Sequence, residues 1–342
     1  MLDERKLKIL DALISDYIFT ADPVGSRTLS KRYLSNISSA TIRNEMADLE
    51  ELGYLEKPHT SSGRIPSDKA YRLYVDQLMK QQKLEEKEKD MVEDKIDSDV
   101  SNINELIFKI SKLLSTATNY TTVVSAPQVT MSTIHDLYVV KINFKNIMIV
   151  LVFNTGIVKN LTMSLTREIS DDYIKDLVII LNNLTRGMQP GEIQKNFEKC
   201  ENIIKGIPKD DIKFILDTII STIKSMSSMD FYLSGTTNIF NYPEFSELAL
   251  AKTIMDALVE KDLLNEIFTK LNEEFSNIII GKENEVEQFQ KCSILTAPYS
   301  IGENTVGTIS IIGPTRMEYS KALAWLDFTS HYLTYIMNNI YR

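Results

Sequence analysis

Two cysteines and three histidines in 342 residues leave little material for metal or thiol chemistry. Cys200 and Cys292 stand alone, which excludes a disulfide scaffold and points to a reducing, cytoplasmic setting; no signal peptide is recognisable to argue otherwise. His59, His135 and His331 are too far apart for a zinc site of His/Cys spacing. No glycine-rich loop precedes a Lys-Ser/Thr pair, and no dinucleotide fingerprint is present. The most apolar runs, Ile147 to Phe153 and Leu177 to Leu181, are far too short to cross a membrane. Asn36, Asn119, Asn160 and Asn183 begin glycosylation-like triplets, which carry no meaning in the cytoplasm. The acids are scattered as on any acidic surface, so no enzyme, no metal and no cofactor is expected.

Basic charge is also short: the formal net charge is −9. Residues 1–80 hold 12 Lys+Arg and 12 Asp+Glu, and the remaining 26 basic and 35 acidic residues carry the whole excess. A neutral amino-terminal segment with locally clustered bases suits a modest nucleic-acid binder whose affinity is raised by dimerisation.

That segment contains a recognisable order of elements. Leu7, Leu10, Ile14, Tyr17 and Ile18 recur at helical spacing over 3–19. Asp22-Pro23-Val24-Gly25 breaks the pattern, and Gly25 or Ser26 caps a second helix running to about Leu34. A third helix opens near Ser38-Ser39, with Ile42, Met46, Leu49 and Leu52 on one stripe. The opposite face carries Ala40, Arg43, Asn44 and Ala47, with Thr41 at its edge. Arg matches the guanine edge, Asn the adenine edge, and Ala approaches a thymine methyl. Asp48, Glu50 and Glu51 fall in the last turns, as expected of a helix that enters a groove by its amino-terminal half.

A solvated face on an ordinary bundle helix would show the same pattern, and the context decides against it. Gly53 ends the helix, Tyr54 to Lys57 is a short strand, residues 58–63 form a polar turn, and Arg64-Ile65-Pro66 returns. This is a helix-turn-helix followed by a wing. Lys57, His59 and Arg64 on the hairpin are placed for phosphates or a minor groove. Backbone amides near Gly25, Ser26 and Arg27 would hold a phosphate, Lys31 would add charge, Ser39 and Thr41 would support, and Arg43 and Asn44 would specify bases.

Four blocks carry a family resemblance: PVGSRTLSKRY, SSATIRNEMADLEELGYLEKPHTSSGRIPSD, SGTTNIFNYPEF at 234–245, and CSILTAPYSIGENTVGTISIIGPTRMEYS near the carboxyl end. The chain resembles the heat-inducible transcription repressors of the HrcA family over essentially its whole length, least between about 80 and 230. It departs from the pattern at Ala21-Asp22 and Ser38-Ser39, where no groove-facing residue is lost. The resemblance implies a GAF-like α+β domain carrying an inserted dimerisation region, an inverted-repeat operator upstream of chaperone genes, and the chaperonin as a modulator that favours the active repressor.

The remaining pattern fits an α+β, multidomain plan. A fourth helix covers Asp68 to about Met79 and completes a winged domain at 1–80. An exposed charged connector follows at 81–100. A first part of the GAF-like antiparallel sheet, at 101–166, holds a helix at Ile103–Leu114 and strands at 120–125, 134–144, 146–153 and 157–165. The apolar run Ile147 to Phe153 reads as a central strand covered on both faces. A mainly helical block spans 167–229, which the resemblance implies is the dimerisation insert, and a second part of the sheet spans 230–342. Ser234-Gly235-Thr236 reads as a structural turn, and Arg316 as a partner for a carboxylate that fixes the last helix.

The leading expectation is therefore a dimeric repressor on double-stranded DNA, with no membrane role. The alternative is a small-molecule-sensing winged-helix regulator acting through its GAF-like domain, recognisable by an apolar pocket with convergent polar groups. A third reading is a chaperonin-associated protein whose winged module binds protein; salt dependence separates it from a DNA binder.

Overall fold

In the computed structural model, which describes residues 2–58, 63–96, 103–127, 132–200, 206–225, 230–274, 278–302 and 304–340, the chain opens with helices α1 (Glu4–Thr20), α2 (Ser26–Arg32) and α3 (Ser39–Glu51). Asp3 caps α1 by accepting from the Lys6 N–H at 2.8 Å. Ser38 caps α3 by accepting from the Thr41 N–H at 3.1 Å. Gly53, at φ +78°, ends α3; its N–H and that of Tyr54 donate back to the Glu50 and Leu49 carbonyls, a turn that glycine adopts without steric cost. Ile42, Met46 and Leu49 are buried in one core with Ile9 and Leu13 of α1. Leu52 leaves the expected stripe and is 48% exposed, because the helix ends there.

Strands β1 (Leu55–Glu56) and β2 (Ile65–Pro66) pair antiparallel. Val24 and Arg64 exchange both backbone bonds at 2.9 Å, so the segment before α2 joins the root of the wing. Glycine is required at 63: a Cβ there would lie 2.6 Å from the Pro23 backbone. The helix expected at 68–79 is α4 (Asp68–Leu73) followed by a π-helical turn, Tyr74–Leu78. The charged connector is less exposed than expected. Helix α5 (Glu86–Ile96) buries Val92 and Ile96, and Leu84 is buried just before it, since their spacing gives the segment an apolar edge.

Five antiparallel strands form the principal sheet, in the order β7 (Phe231–Ser234), β3 (Thr121–Ser125), β10 (Asn304–Pro314), β9 (Cys292–Ile301) and β8 (Ile278–Ile280). Side-chain alternation sends Val124, Leu295, Tyr299 and Ile309 into the core that also holds α6 (Ile103–Thr118) and α12 (Tyr319–Ile340). Val123, Ile294 and Ile312 go to the other face, under α10 (Leu248–Val259) and α11 (Lys261–Glu274).

The strands at 134–165 do not belong to that sheet. β4 (Ile134–Lys141), β5 (Asn146–Phe153) and β6 (Val158–Ser164) make a separate three-stranded sheet. It shares a core with α7 (Asp171–Thr185), α8 (Ile193–Cys200) and α9 (Lys209–Ser225). The insertion is therefore α+β and starts with its strands, where the sequence pattern suggests a mainly helical region at 167–229. Topology explains this. β3 and β7 pair directly, Thr122 against Ser234 and Ser125 against Phe231, so the chain leaves the principal sheet after β3 and returns beside the same strand. β5 is covered on one face only: Ile147, Ile149, Leu151 and Phe153 are buried, while Met148, Val150 and Val152 are half-buried.

Candidate nucleic-acid interface

Ala40, Arg43, Asn44 and Ala47 are exposed on α3, opposite its buried stripe. The first half of this helix, the start of α2 and the wing enclose one concave surface of about 710 Å³. Gly25, Ser26, Arg27, Ser39, Ala40, Arg43, Asn44, Lys57 and Arg64 line it, with Met46 at its floor. These residues are brought together from a span of forty positions by the core beneath them. Lys31 does not line the surface, being exposed in the last turn of α2. Thr41 acts in the cap, its hydroxyl 2.9 Å from that of Ser38. His59 lies outside the described residues.

Gly25 caps α2 without a side-chain acceptor, so first-turn N–H groups remain for an external oxygen. The acids on α3 are largely held within the module. Lys6 of α1 meets Glu45 at 2.7 Å and Asp48 at 3.0 Å, and Arg5 meets Glu45 at 3.4 Å. The hydrogen bond that Lys6 donates to Glu45, reinforced by the one to Asp48, pushes the Lys6 pKa above its ordinary value. Asp16, buried on α1, accepts from Arg32 and from the Tyr33 hydroxyl, each at 3.0 Å, and ties α1 to α2. These clasps were not read from the sequence, since they join helices far apart in the chain.

Arg64 lines the surface but is already paired. Its Nε donates to Glu50 at 2.7 Å and its side chain is only 19% exposed. It clips the wing to α3, so its charge is met by a carboxylate before any phosphate approaches. Among the described residues, Arg27, Arg43, Asn44 and Lys57 have no side-chain partner. Unpaired donors over a surface whose acids are mostly engaged suit an anionic partner with hydrogen-bonding edges.

Elsewhere, the Ser234-Gly235 turn is packed into the fold. A Cβ on Gly235, at φ +64°, would fall 1.8 Å from the Ser115 hydroxyl, and Asn238 donates to Ser115 and to the Tyr120 carbonyl. A space on the α10 face of the principal sheet, bounded by Phe245, Leu258, Cys292 and Ile312, amounts to about 10 Å³, room for about one water. Burial pushes the Cys292 thiol up to about 12, and a thiol so held is inert. Among the described residues no group of three His, Cys, Asp or Glu side chains is placed to hold a metal ion.

Comparison with known proteins bears on this geometry. The family described as HrcA protein C terminal domain matches residues 104–323. The chain is 42% identical to the heat-inducible transcription repressor HrcA of Clostridioides difficile, with 96% of this chain and 98% of the relative covered. It is 40% identical to that of Ruminiclostridium cellulolyticum, covering 96% and 95%. A crystal structure of a hypothetical protein shares the fold over 99% of both chains, with a TM-score of 0.60 at 21% identity.

Proposed function

Because the chain belongs to the HrcA family of heat-inducible transcription repressors, which negatively regulate heat-shock genes, we propose that it acts as a homodimer on an inverted-repeat operator upstream of chaperone genes. The observation that carries this reading is the placement of Arg43 and Asn44, unpartnered and exposed, on the one surface that also holds the start of α2 and the wing. Arg43 and Asn44 read base edges. The first amides of α2, with Arg27 and Lys57, meet phosphates, and Lys31 flanks them. Ser39 and Thr41 support the helix start, and Ala40 allows close approach. Bound across a promoter, the dimer blocks transcription sterically in the cytoplasm.

Dimerisation is assigned to the insertion. The outer face of its sheet presents Tyr138, Val140 and Val158, 54%, 44% and 58% exposed, around half-buried Met148, Val150 and Val152. An exposed apolar face of this kind suits pairing with its own copy about a two-fold axis. Chaperonin favours the active dimer, so that its diversion to unfolded proteins relieves repression. The sensing alternative lacks a chamber on the α10 face of the sheet, where the space holds about one water. No helix among the described residues is long and apolar enough to cross a membrane.

The test is a fluorescence-anisotropy titration of the inverted repeat against a scrambled duplex, at two salt concentrations, with and without chaperonin. Salt-sensitive binding that prefers the repeat and tightens with chaperonin is the expected result. Equal affinity for both duplexes would remove the operator reading; a preference indifferent to chaperonin would remove the modulator.

A further inference from the structure

Arg316 lies between β10 and α12, and its side chain is 12% exposed. The carboxylate expected for it is Glu244, to which its Nε donates. Its second partner lies in the DNA-reading module: the guanidinium donates to the Ile18 carbonyl at 3.0 Å. We propose that Arg316 is a positioning residue for operator recognition, setting the placement of the reading module on the principal domain and hence the spacing of the two recognition helices in a dimer. The proposal rests on the operator reading above.

The geometry supports this at each step. Ile18 is in the last turn of α1, where carbonyls lack helical partners and the dipole favours a cation. α1 carries no basic residue in that turn, so Arg316 supplies the cation from another domain. The guanidinium is itself held on an aromatic shelf, 5.7 Å from the Tyr242 ring. Tyr242 stacks on Tyr120 at 5.5 Å and donates to the Asn119 carbonyl. Tyr120 in turn accepts from the Glu318 N–H at 2.9 Å. The second oxygen of Glu244 is buried without a hydrogen-bond partner, so Arg316 is what compensates that carboxylate.

Movement of α1 is movement of α3, because the two share a core and the Lys6 clasp on Glu45 and Asp48. A second contact restrains the module elsewhere. Arg72 of α4 forks onto Glu283 and donates to the Ile278 carbonyl at 2.8 Å, and Asp68 accepts from the Lys282 N–H at 3.0 Å. With one clasp at the β8 edge and one after β10, the module has a fixed angle instead of a swivel.

A dimer reading two arms depends on that angle, since recognition helices must stand about 34–36 Å apart or a multiple of it. The test uses the full-length protein and three labelled duplexes: the inverted repeat from its own chaperonin promoter, the same repeat with the spacer lengthened by one base pair, and one arm alone. Wild type should fall steeply in affinity when the spacer is lengthened. Arg316→Gln should bind the native repeat about tenfold more weakly, bind the single arm as wild type does, and discriminate less between spacers; Arg316→Lys should restore part of the discrimination. An unchanged spacer preference, or an equal loss on the single arm, would overturn the positioning role. If Arg316→Gln does not fold, Glu244→Gln takes its place, with a smaller loss of discrimination expected and an unchanged profile counting against the proposal. A wild-type protein with no preference for the repeat would overturn the operator reading itself, and the positioning role with it.

Discussion

Arg43 and Lys57 lie on the same surface but are expected to fail differently when removed. Arg43→Ala should cost roughly 1–3 kcal/mol on the operator and relax preference at one base pair per arm, measured by titrating single-base operator variants; equal losses on operator and random DNA would take base reading away from it. Lys57→Ala should weaken binding to every sequence and lower the log-log salt slope by about 0.9 per contact, measured across a salt series. Residue chemistry put both forward as contacts, and the fold sets both on that surface. It did not make the restraint on Arg64 legible. The pairing with Glu50 crosses fourteen positions and depends on how the wing folds back on α3.

The recognition helix is only as well placed as its first turn. Ser38 supplies the cap, and Ser38→Ala should lower stability by about 1 kcal/mol, read as a fall in Tm with an unchanged fold by circular dichroism. No change in Tm would mean that solvent replaces the cap. The start of α3 was expected near Ser38-Ser39 because a hydroxyl before an apolar stripe is a local signal. The reach of the stripe to Leu52 was overestimated, since Gly53 turns the chain one residue later. At 68–79 a continuous helix was expected. The π-helical turn that replaces its second half leaves no mark on side-chain periodicity over so few residues.

At the scale of the molecule, the insertion is where sequence reading and structure part. β5 has apolar residues on both faces and so reads as a strand in the middle of a covered sheet. Its outer face is instead open in the single chain. Tyr138→Asp places a charge on that face, at a position already 54% exposed. It should therefore yield a folded monomer by sedimentation, with operator affinity reduced and single-arm binding kept. A variant that remains dimeric would move the interface away from this sheet.

Local order is what the sequence determined by itself. Caps, helix stripes, the glycine that ends α3 and the exposed Arg43–Asn44 pair follow from interactions within a few residues, and these define the reader. Which strands share a sheet, which carboxylate meets Arg64 or Arg316, and how the reader is held on the principal domain were decided only by tertiary structure. Those contacts join residues from fourteen to nearly three hundred positions apart. They form only once the cores beneath them have packed, so no local pattern announces them.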